Sequence, residues 1–439
     1  MKLKTLTLLL AALASAPALS ADLLDAYHAA QGQDPTFAAA RATHQAGQEK
    51  LAQGRSLLLP SVNLSANTTY NDNLVHYQNP GFLRSGVARY NTHGYGASLV
   101  QPLFRQQNWI AYSQSDLQVA LADAQFHAAE QDLILRVSQA YFDVLLAQDN
   151  VQLAAAQKTA ISEQLEQAKR NFEVGTATIT DTHEAQARYD LVVAQEIAAQ
   201  SNLEIRKRAL QQLTGKPAED LRPLAAELDL SPLQPEQIDK WDDEAQQHNP
   251  QVEAAKIGAE LADKEVSKAA GGHLPTVDLV ANYNKNYATG GTFGPNDNRM
   301  TSVGVVLNMP LFQGGLTQSK WREADANREK ARQDLEFARR SVSVQTRQAY
   351  LGVANGAAQV RALQQALKSS ESLLDASKTG QEVGVRTNLD VLNAQQQLFS
   401  TRRDLLQAEY NYLMNRLRLK AAAGTLNETD LSNVNKSVQ

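Results

Sequence analysis

A long stretch without helix breakers constrains this fold more than any other feature. From Leu103 to Lys216 the sequence has no proline and, before Gly215, a single glycine, Gly175. The stretch is rich in Ala, Gln, Leu, Glu and Arg, which favour helices, and glycine allows the positive φ of a chain reversal. Apolar residues recur at three- and four-residue steps, as in a coiled-coil seam. We therefore predict a helical hairpin with its tip at Gly175 and a first arm of about 100 Å.

The start and end of the return arm carry capping signatures. Thr178 is followed three residues later by Asp181, which is the Ser/Thr-x-x-Asp/Glu pattern of a helix N-terminus. The arm ends at Gly215, and Pro217 comes two residues later. We predict a second helix between these two signals.

The same pattern occurs twice in the chain, at an offset of about 210 residues. The matching pairs are Val174 with Val383, Gly175 with Gly384, Thr178 with Thr387, Asp181 with Asp390, and Gly215 with Gly424. The chain is predicted to be a tandem duplication. Its parts are a first repeat over residues 21–215, a linker over 216–240, a second repeat over 241–424 and a polar tail over 425–439.

The N-terminal residues predict export. Residues 1–20 are typical of a secretory signal peptide, because Lys2 and Lys4 precede an apolar run that ends in small residues. No later segment has the roughly 20 apolar residues of a transmembrane helix, so any membrane crossing is expected to use β-strands. The chain has no cysteine, which suits an oxidising periplasm and excludes a lipid-modified cysteine. The net charge of -5 argues against nucleic acid as a partner.

Each repeat contains a segment in which the hydrophobic period changes to two. Strand hairpins are predicted over residues 60–102 and 275–310, with strands of about ten residues. Their polar loops are expected at Asn71–Thr92 and Asn284–Arg299. The apolar face could contact lipid, or it could pack on the helices as in an ordinary sheet. Because four strands are too few to close a membrane barrel, the first alternative requires an oligomer.

Motifs for catalysis or cofactor binding are not found. The eight histidines are scattered without metal-ligand spacing. There is no Gly-x-Ser-x-Gly motif and no nucleotide-binding glycine loop. The sequence predicts neither an enzyme nor a cofactor, so energy for directed transport would come from partner proteins.

Five segments resemble the family of TolC-type outer-membrane efflux and type I secretion channels, also called outer membrane factors. They are the two tips, Asn171–Gly175 and Glu382–Thr387, and the stretches Leu389–Leu392, Tyr410–Asn415 and Gly424–Glu428. The resemblance covers nearly the whole mature chain.

The resemblance implies a fold that is mainly α with β. In it, the duplicated helical hairpins form an α-barrel, and four transmembrane strands per chain form a trimeric twelve-stranded outer-membrane β-barrel. It implies an outer-membrane channel that extends into the periplasm and exports small molecules such as drugs and toxic compounds, and in some members proteins. It also implies a periplasmic adaptor and an inner-membrane pump or ABC secretion ATPase as partners.

The resemblance further implies a periplasmic gate. Its positions in this sequence are Arg386, Thr180, Asp181, Asp390, Gln381 and Asn393. Arg386 would bond Thr180 and Asp181 of a neighbouring hairpin, and Asp390 would form a carboxylate ring. Gln381 stands in place of a latch tyrosine and Asn393 in place of a second aspartate ring, so these two features are not expected here. Capping of helices by Asp181 and Asp390 is an alternative role that is compatible with gating.

The hairpin tips are expected to dock the adaptor. The residues concerned are Val174, Gly175, Val383 and Gly384. The alternative functions are a periplasmic coiled-coil adaptor or structural tether and, more remotely, an envelope hydrolase. A tether would need an anchor and a single hairpin, and a hydrolase would need a catalytic site; the sequence shows neither the anchor nor the site.

Overall fold

The computed structural model describes residues 22–78, 85–219, 221–224, 228–291 and 294–436. The predicted signal peptide lies outside these ranges. The chain forms two compact units. Among the described residues, the helical unit comprises 22–42, 126–219, 221–224, 228–252 and 339–436, and the sheet unit comprises 43–78, 85–125, 253–291 and 294–338.

Nine helices and four strands occupy the described ranges, together with a short 3-10 turn at Gly271–His273. The helices are α1 (Leu23–Gln33), α2 (Pro35–Ser56), α3 (Gln106–Glu173), α4 (Ile179–Thr214), α5 (Ile238–His248), α6 (Pro250–Ala270), α7 (Leu316–Glu382), α8 (Asn388–Ala422) and α9 (Glu428–Asn435). The strands are β1 (Ser61–Val75), β2 (Gly86–Phe104), β3 (Thr276–Ala288) and β4 (Asn296–Asn308).

The two helical hairpins form where the sequence predicts them. α3 ends at Glu173 and α4 begins after the N-cap Thr178, while α7 ends at Glu382 and α8 begins after the N-cap Thr387. α4 ends at Thr214, and its C-cap Gly215 adopts a left-handed φ of 68°. The hairpins and their tips are confirmed because local propensity and capping decide both.

The four strands form one antiparallel sheet in the order β1-β2-β3-β4. The strands are longer than the ten residues expected, at 15, 19, 13 and 13 residues. The predicted loop bounds were wrong, because pairing continues from Asn71 to Val75 and from Gly86 to Thr92 in the first hairpin. Backbone hydrogen bonds extend a hairpin whatever the polarity of its side chains, so composition underestimates strand length.

Each face of the sheet has its own chemistry. An apolar row crosses the four strands through Val62, Leu99, Ala281 and Val303, and a polar row crosses the other face through Asn63, Ser98, Asn282 and Ser302. Val62 remains 68% exposed and Val303 72% exposed. The apolar face is therefore not buried within the sheet unit, which argues against an ordinary sheet packed on helices.

An ion pair links the start of α3 to the sheet. The Arg105 guanidinium donates through Nε and Nη2 to the two carboxylate oxygens of Asp278, at 2.8 and 2.6 Å. Asp278 is buried and lies on β3. This two-pronged geometry holds the β2–α3 junction in one orientation.

The core of the helical unit lies between the long helices and the short terminal ones. Tyr141 and Phe142 of α3 and Tyr412 and Leu413 of α8 are fully buried there. The segment expected to be a polar tail instead forms α9, whose Leu431 is fully buried in the same core. α5 begins at Ile238, near the end of the predicted linker. Among the described residues, no helix is long and apolar enough to cross a membrane.

Candidate functional site

The two hairpin tips have the same backbone geometry. In the first tip the Thr176 amide donates to the Asn171 carbonyl at 2.8 Å, and in the second the Val385 amide donates to the Gly380 carbonyl at 2.9 Å. Gly175 and Gly384 have φ values of 79° and 80°. An L-residue with a side chain would be strained at either position, so glycine is required for the reversal.

The first residue of each return helix is held by a reciprocal cap. The Asp181 carboxylate accepts from the Thr178 amide at 2.9 Å, and the Asp390 carboxylate accepts from the Thr387 amide at 2.8 Å. Each threonine hydroxyl in turn accepts from the backbone N–H of its aspartate. The capping role of both aspartates is thus confirmed, and it orients their carboxylates at the tips.

Asp390 also pairs with an arginine of its own tip. Arg386 Nη1 lies 3.7 Å from Asp390 Oδ1, one helical turn away. Hydrogen bonds from Thr387 lower the pKa of Asp390, and the Arg386 charge lowers it further. Asp390 is therefore an anion at neutral pH, as a cation-attracting ring would need.

A glycine missed by the sequence reasoning shapes the second tip. A Cβ at Gly380 would lie 2.6 Å from Arg386 Cγ, so the arginine stem rests where a side chain would be. The equivalent position of the first tip is Asn171, and the equivalent of Arg386 is Ala177. The departure of Gly380 from its counterpart in the repeat was the signal that could have identified it.

The side chains of the other predicted gate and docking residues are exposed or partly exposed. Gln381 donates to Asn388 at 3.4 Å within its own tip, and Thr180 is exposed. Val174 and Val383 expose 73% and 68% of their surfaces. The hydrogen bond of Gln381 and the ion pair of Arg386 stay within the second tip, so contact of Arg386 with Thr180 and Asp181 of a neighbouring hairpin remains a prediction.

Arg188 is a second residue that the sequence reasoning missed. It lies on α4 and donates to two amide oxygens of α8, to Asn393 Oδ1 at 3.1 Å and to Gln396 Oε1. It follows Asp181 by seven residues, which puts it on the same helix face, and that spacing could have indicated it. Asn393 of the second hairpin therefore contacts Arg188 of the first hairpin in the same chain.

Apolar packing near the tips joins the first hairpin to α8. Ile161 and Leu165 of α3, Val192 of α4 and Leu392 of α8 form one buried cluster. The cluster holds α8 against α4 close to the Arg188 contact.

Two acidic side chains lie together farther along the bundle. The Tyr410 hydroxyl donates to Asp149 Oδ2 at 2.7 Å. Burial raises the pKa of Asp149, and Tyr410 partly offsets this. Burial, with the nearby charge of Asp149, raises the pKa of Glu409 to about 7. No metal-binding group of three acidic or histidine side chains occurs in the described ranges.

We expect Glu409→Gln to stabilise the protein at pH 8 and to change little at pH 5. The pKa of Glu409 is raised in the folded state, so the carboxyl group binds its proton more tightly there than in the unfolded chain. Its contribution to the free energy of unfolding is therefore fully present below the ordinary carboxyl pKa and is lost as pH rises towards 7. After discounting for partial exposure, the gain in unfolding free energy at pH 8 is on the order of 1 kcal/mol. Thermal unfolding followed by circular dichroism at both pH values measures it.

The control for this variant is Asp404→Asn, which alters an exposed carboxylate on the same helix. Equal melting temperatures for Glu409→Gln and the wild type at pH 8 would contradict the prediction.

A family model described as "Outer membrane efflux protein" matches residues 26–216 and 241–425. The chain is 35% identical over 422 residues to the outer membrane protein TolC of Vibrio cholerae, covering 95% of this chain and 94% of that one. It is 36% identical over 428 residues to the alkaline protease secretion protein AprF of Pseudomonas aeruginosa, covering 94% and 86%.

Among solved structures, the outer membrane protein VceC of Vibrio cholerae matches with a TM-score of 0.78 at 20% identity. The match covers 92% of this chain and 96% of that one. At this identity the likeness concerns the fold alone.

Proposed function

Because the chain belongs to the outer membrane efflux protein family, we propose that it works as a homotrimeric channel-tunnel driven by partner proteins. The family is one of transport channels and not an enzyme family. The chain is an outer-membrane channel for export, and it extends from the outer membrane into the periplasm.

The four-stranded sheet is the observation that carries the oligomer, and the number of three copies follows from the family. Within the described sheet, β1 and β4 each pair on one side only. Unpaired strand edges are unfavourable in lipid, and membrane barrels contain at least about eight strands. Three copies of this sheet supply twelve strands and close every edge, with the apolar rows facing lipid.

We infer the exported molecules from the names of the related proteins. One relative is named for secretion of an alkaline protease, and others are named as efflux proteins. We assign to this chain the export of small molecules, including drugs and toxic compounds, and of proteins. The energy comes from an inner-membrane pump or ABC secretion ATPase, coupled by a periplasmic adaptor.

The gate is proposed at the hairpin tips. Arg386 bonds Thr180 and Asp181 of a neighbouring hairpin in the closed state, and Asp390 forms a ring of three carboxylates. Gln381 and Asn393 do not supply a tyrosine latch or a second ring. Support comes from the exposure of the Arg386 side chain and from the ionised state of Asp390.

The adaptor docks at the tips, and the two repeats present one tip each. The exposed valines Val174 and Val383 flank the tip glycines and offer apolar contacts. The repeats are residues 21–215 and 241–424, separated by a linker at 216–240. The same order of helix, strand hairpin and helical hairpin in both halves supports this division.

Planar-bilayer recording tests the proposed function. The purified protein should give discrete conductance steps and should migrate as a trimer in mild detergent, because one sheet leaves two open edges. A protein that stays monomeric and soluble in detergent-free buffer, and that gives no steps, would exclude a channel.

A further inference from the structure

We propose that a cleft between α3, α4 and α8 binds amphiphilic anions, with Arg188 and Arg403 holding the anionic group. The proposal rests on the proposed export function and adds a substrate class to it. The cleft lies entirely within the helical unit and has a volume of about 540 Å³. That volume is in the range of sites for small molecules, roughly 300–1,000 Å³.

The cleft carries two positive charges. The residues that line the cleft include Arg188 and Arg403 and, among the described residues, no aspartate or glutamate. Arg188 donates to the amide oxygens of Asn393 and Gln396, which are neutral, so these contacts leave its charge uncancelled. Two cationic side chains in one cleft favour an anionic occupant.

Arg403 has an acidic neighbour outside the cleft. Its Nη2 lies 3.5 Å from Asp404 Oδ1, and both side chains are more than half exposed. An exposed pair at this distance is weak and is screened by solvent, so Arg403 stays available to an anion.

Part of the lining of the cleft is apolar. Ile161, Val192, Leu392 and Phe399 line the cleft, and each is buried in the protein. The amide side chains of Gln157 and Gln195 also border it. A hydrocarbon or aromatic body would pack against the apolar residues while its acidic group meets the guanidinium groups.

Guanidinium and apolar groups in the same cleft select for amphiphiles. A small inorganic anion would gain the charge contacts alone, and a neutral hydrocarbon would gain the apolar contacts alone. The occupant is therefore an organic molecule with one sulfonate or carboxylate and an apolar body.

The test uses two probes that share one aromatic body. 8-Anilinonaphthalene-1-sulfonate carries a sulfonate, and N-phenyl-1-naphthylamine is the same molecule without it. Each is titrated by fluorescence into the purified channel in lipid nanodiscs, and the signal of empty nanodiscs is subtracted. We compare the wild type with Arg188→Gln, Arg403→Gln and the double variant.

We expect each single variant to weaken sulfonate binding roughly tenfold, since each removes one charge-assisted contact, and the double variant to weaken it further. Binding of the neutral probe should not change. The matched control is Arg402→Gln, because Arg402 neighbours Arg403 but pairs with Glu371 at 3.0 Å and does not line the cleft.

Equal affinity of the sulfonate for the wild type and the double variant would overturn the proposal. An equal loss of affinity for the neutral probe would also overturn the proposal, because the weaker binding would then not depend on the charge of the sulfonate. Absence of sulfonate binding to the wild type would mean that the cleft is filled, for instance by a neighbouring subunit, and would overturn it as well. Conductance recorded on the same preparation separates these outcomes from a failure of the channel function itself.

Discussion

Arg386→Ala is expected to raise single-channel conductance without lowering trimer stability. The arginine is proposed to hold the closed tips through Thr180 and Asp181 of a neighbouring hairpin. One exposed pair contributes only about 0.2–1 kcal/mol. Three symmetric copies would bias the closed state by up to ~3 kcal/mol, on the order of 100-fold in population. A docking adaptor could overcome that bias, as a gate requires.

The loss of Thr180 and Asp181 together should have the same effect as Arg386→Ala. Because Asp181 also caps α4, the pair is best altered by combining Thr180→Val with Asp181→Asn, which removes the hydroxyl and the charge but keeps a side-chain amide oxygen as acceptor for the cap. Because Gln381 stands in place of the latch tyrosine, the arginine contacts should carry more of the closure here than in tyrosine-bearing relatives. Single-channel recording and sensitivity of cells to large antibiotics measure the opening.

Gly380→Ala is expected to displace the Arg386 side chain without destabilising α7. The added Cβ would displace the Arg386 stem, so conductance should rise towards that of Arg386→Ala. Alanine favours a helix over glycine by about 1 kcal/mol, so α7 itself should not be destabilised. The control is Gly356→Ala in the same helix, where the added Cβ would lie at an ordinary 3.5 Å from Tyr412.

Wild-type conductance in both Arg386→Ala and Gly380→Ala, alongside altered conductance in Asp390 variants, would contradict the latch. Packing of the hairpins alone would then keep the tips shut. The apolar cluster of Ile161, Val192 and Leu392 would be the next region to alter.

Asp390→Asn is expected to lower the cation selectivity of the channel. Three ionised carboxylates around a narrow, water-filled constriction concentrate cations, and their removal should reduce the cation-over-anion permeability ratio by roughly tenfold. Block by multivalent cations should weaken in parallel. Reversal potentials in a KCl gradient measure the ratio.

The control for Asp390→Asn is Glu382→Gln, an exposed carboxylate at the end of α7. Unchanged reversal potentials in Asp390→Asn would remove Asp390 from the selectivity role. Asn393→Asp should restore only part of a second ring, because the new carboxylate would lie beside Arg188 and be partly neutralised.

Much of the fold was predictable because it depends on short-range physics. The proline-free stretches, the tip glycines and the Thr178 and Thr387 caps each specify local backbone geometry. Strand lengths were underestimated, because polar residues such as Asn71 can pair as well as apolar ones. The helix at the end of the chain was not predicted, because the sequence does not show that its few apolar residues, among them Leu431, pack into the core of the helical unit.

The candidate site was less accessible to sequence reasoning. The positions of Arg386 and Asp390 followed from the repeat and the family resemblance, but their contact with each other did not. The departure of Gly380 from its counterpart in the repeat and the seven-residue spacing of Arg188 from Asp181 are visible in the sequence, but the groups that these two residues contact are not.

The sequence by itself determined the duplicated hairpins, their tips and caps, and the four amphipathic strands, since helix propensity, capping and residue period act within a few residues. Only the tertiary structure decided which helix faces meet. That choice brings Arg188 to Asn393 and places the half-buried Asp149 beside Tyr410. The long-range contacts among these join residues that are distant in sequence, and the packing of whole helices selects them, so no local pattern encodes them.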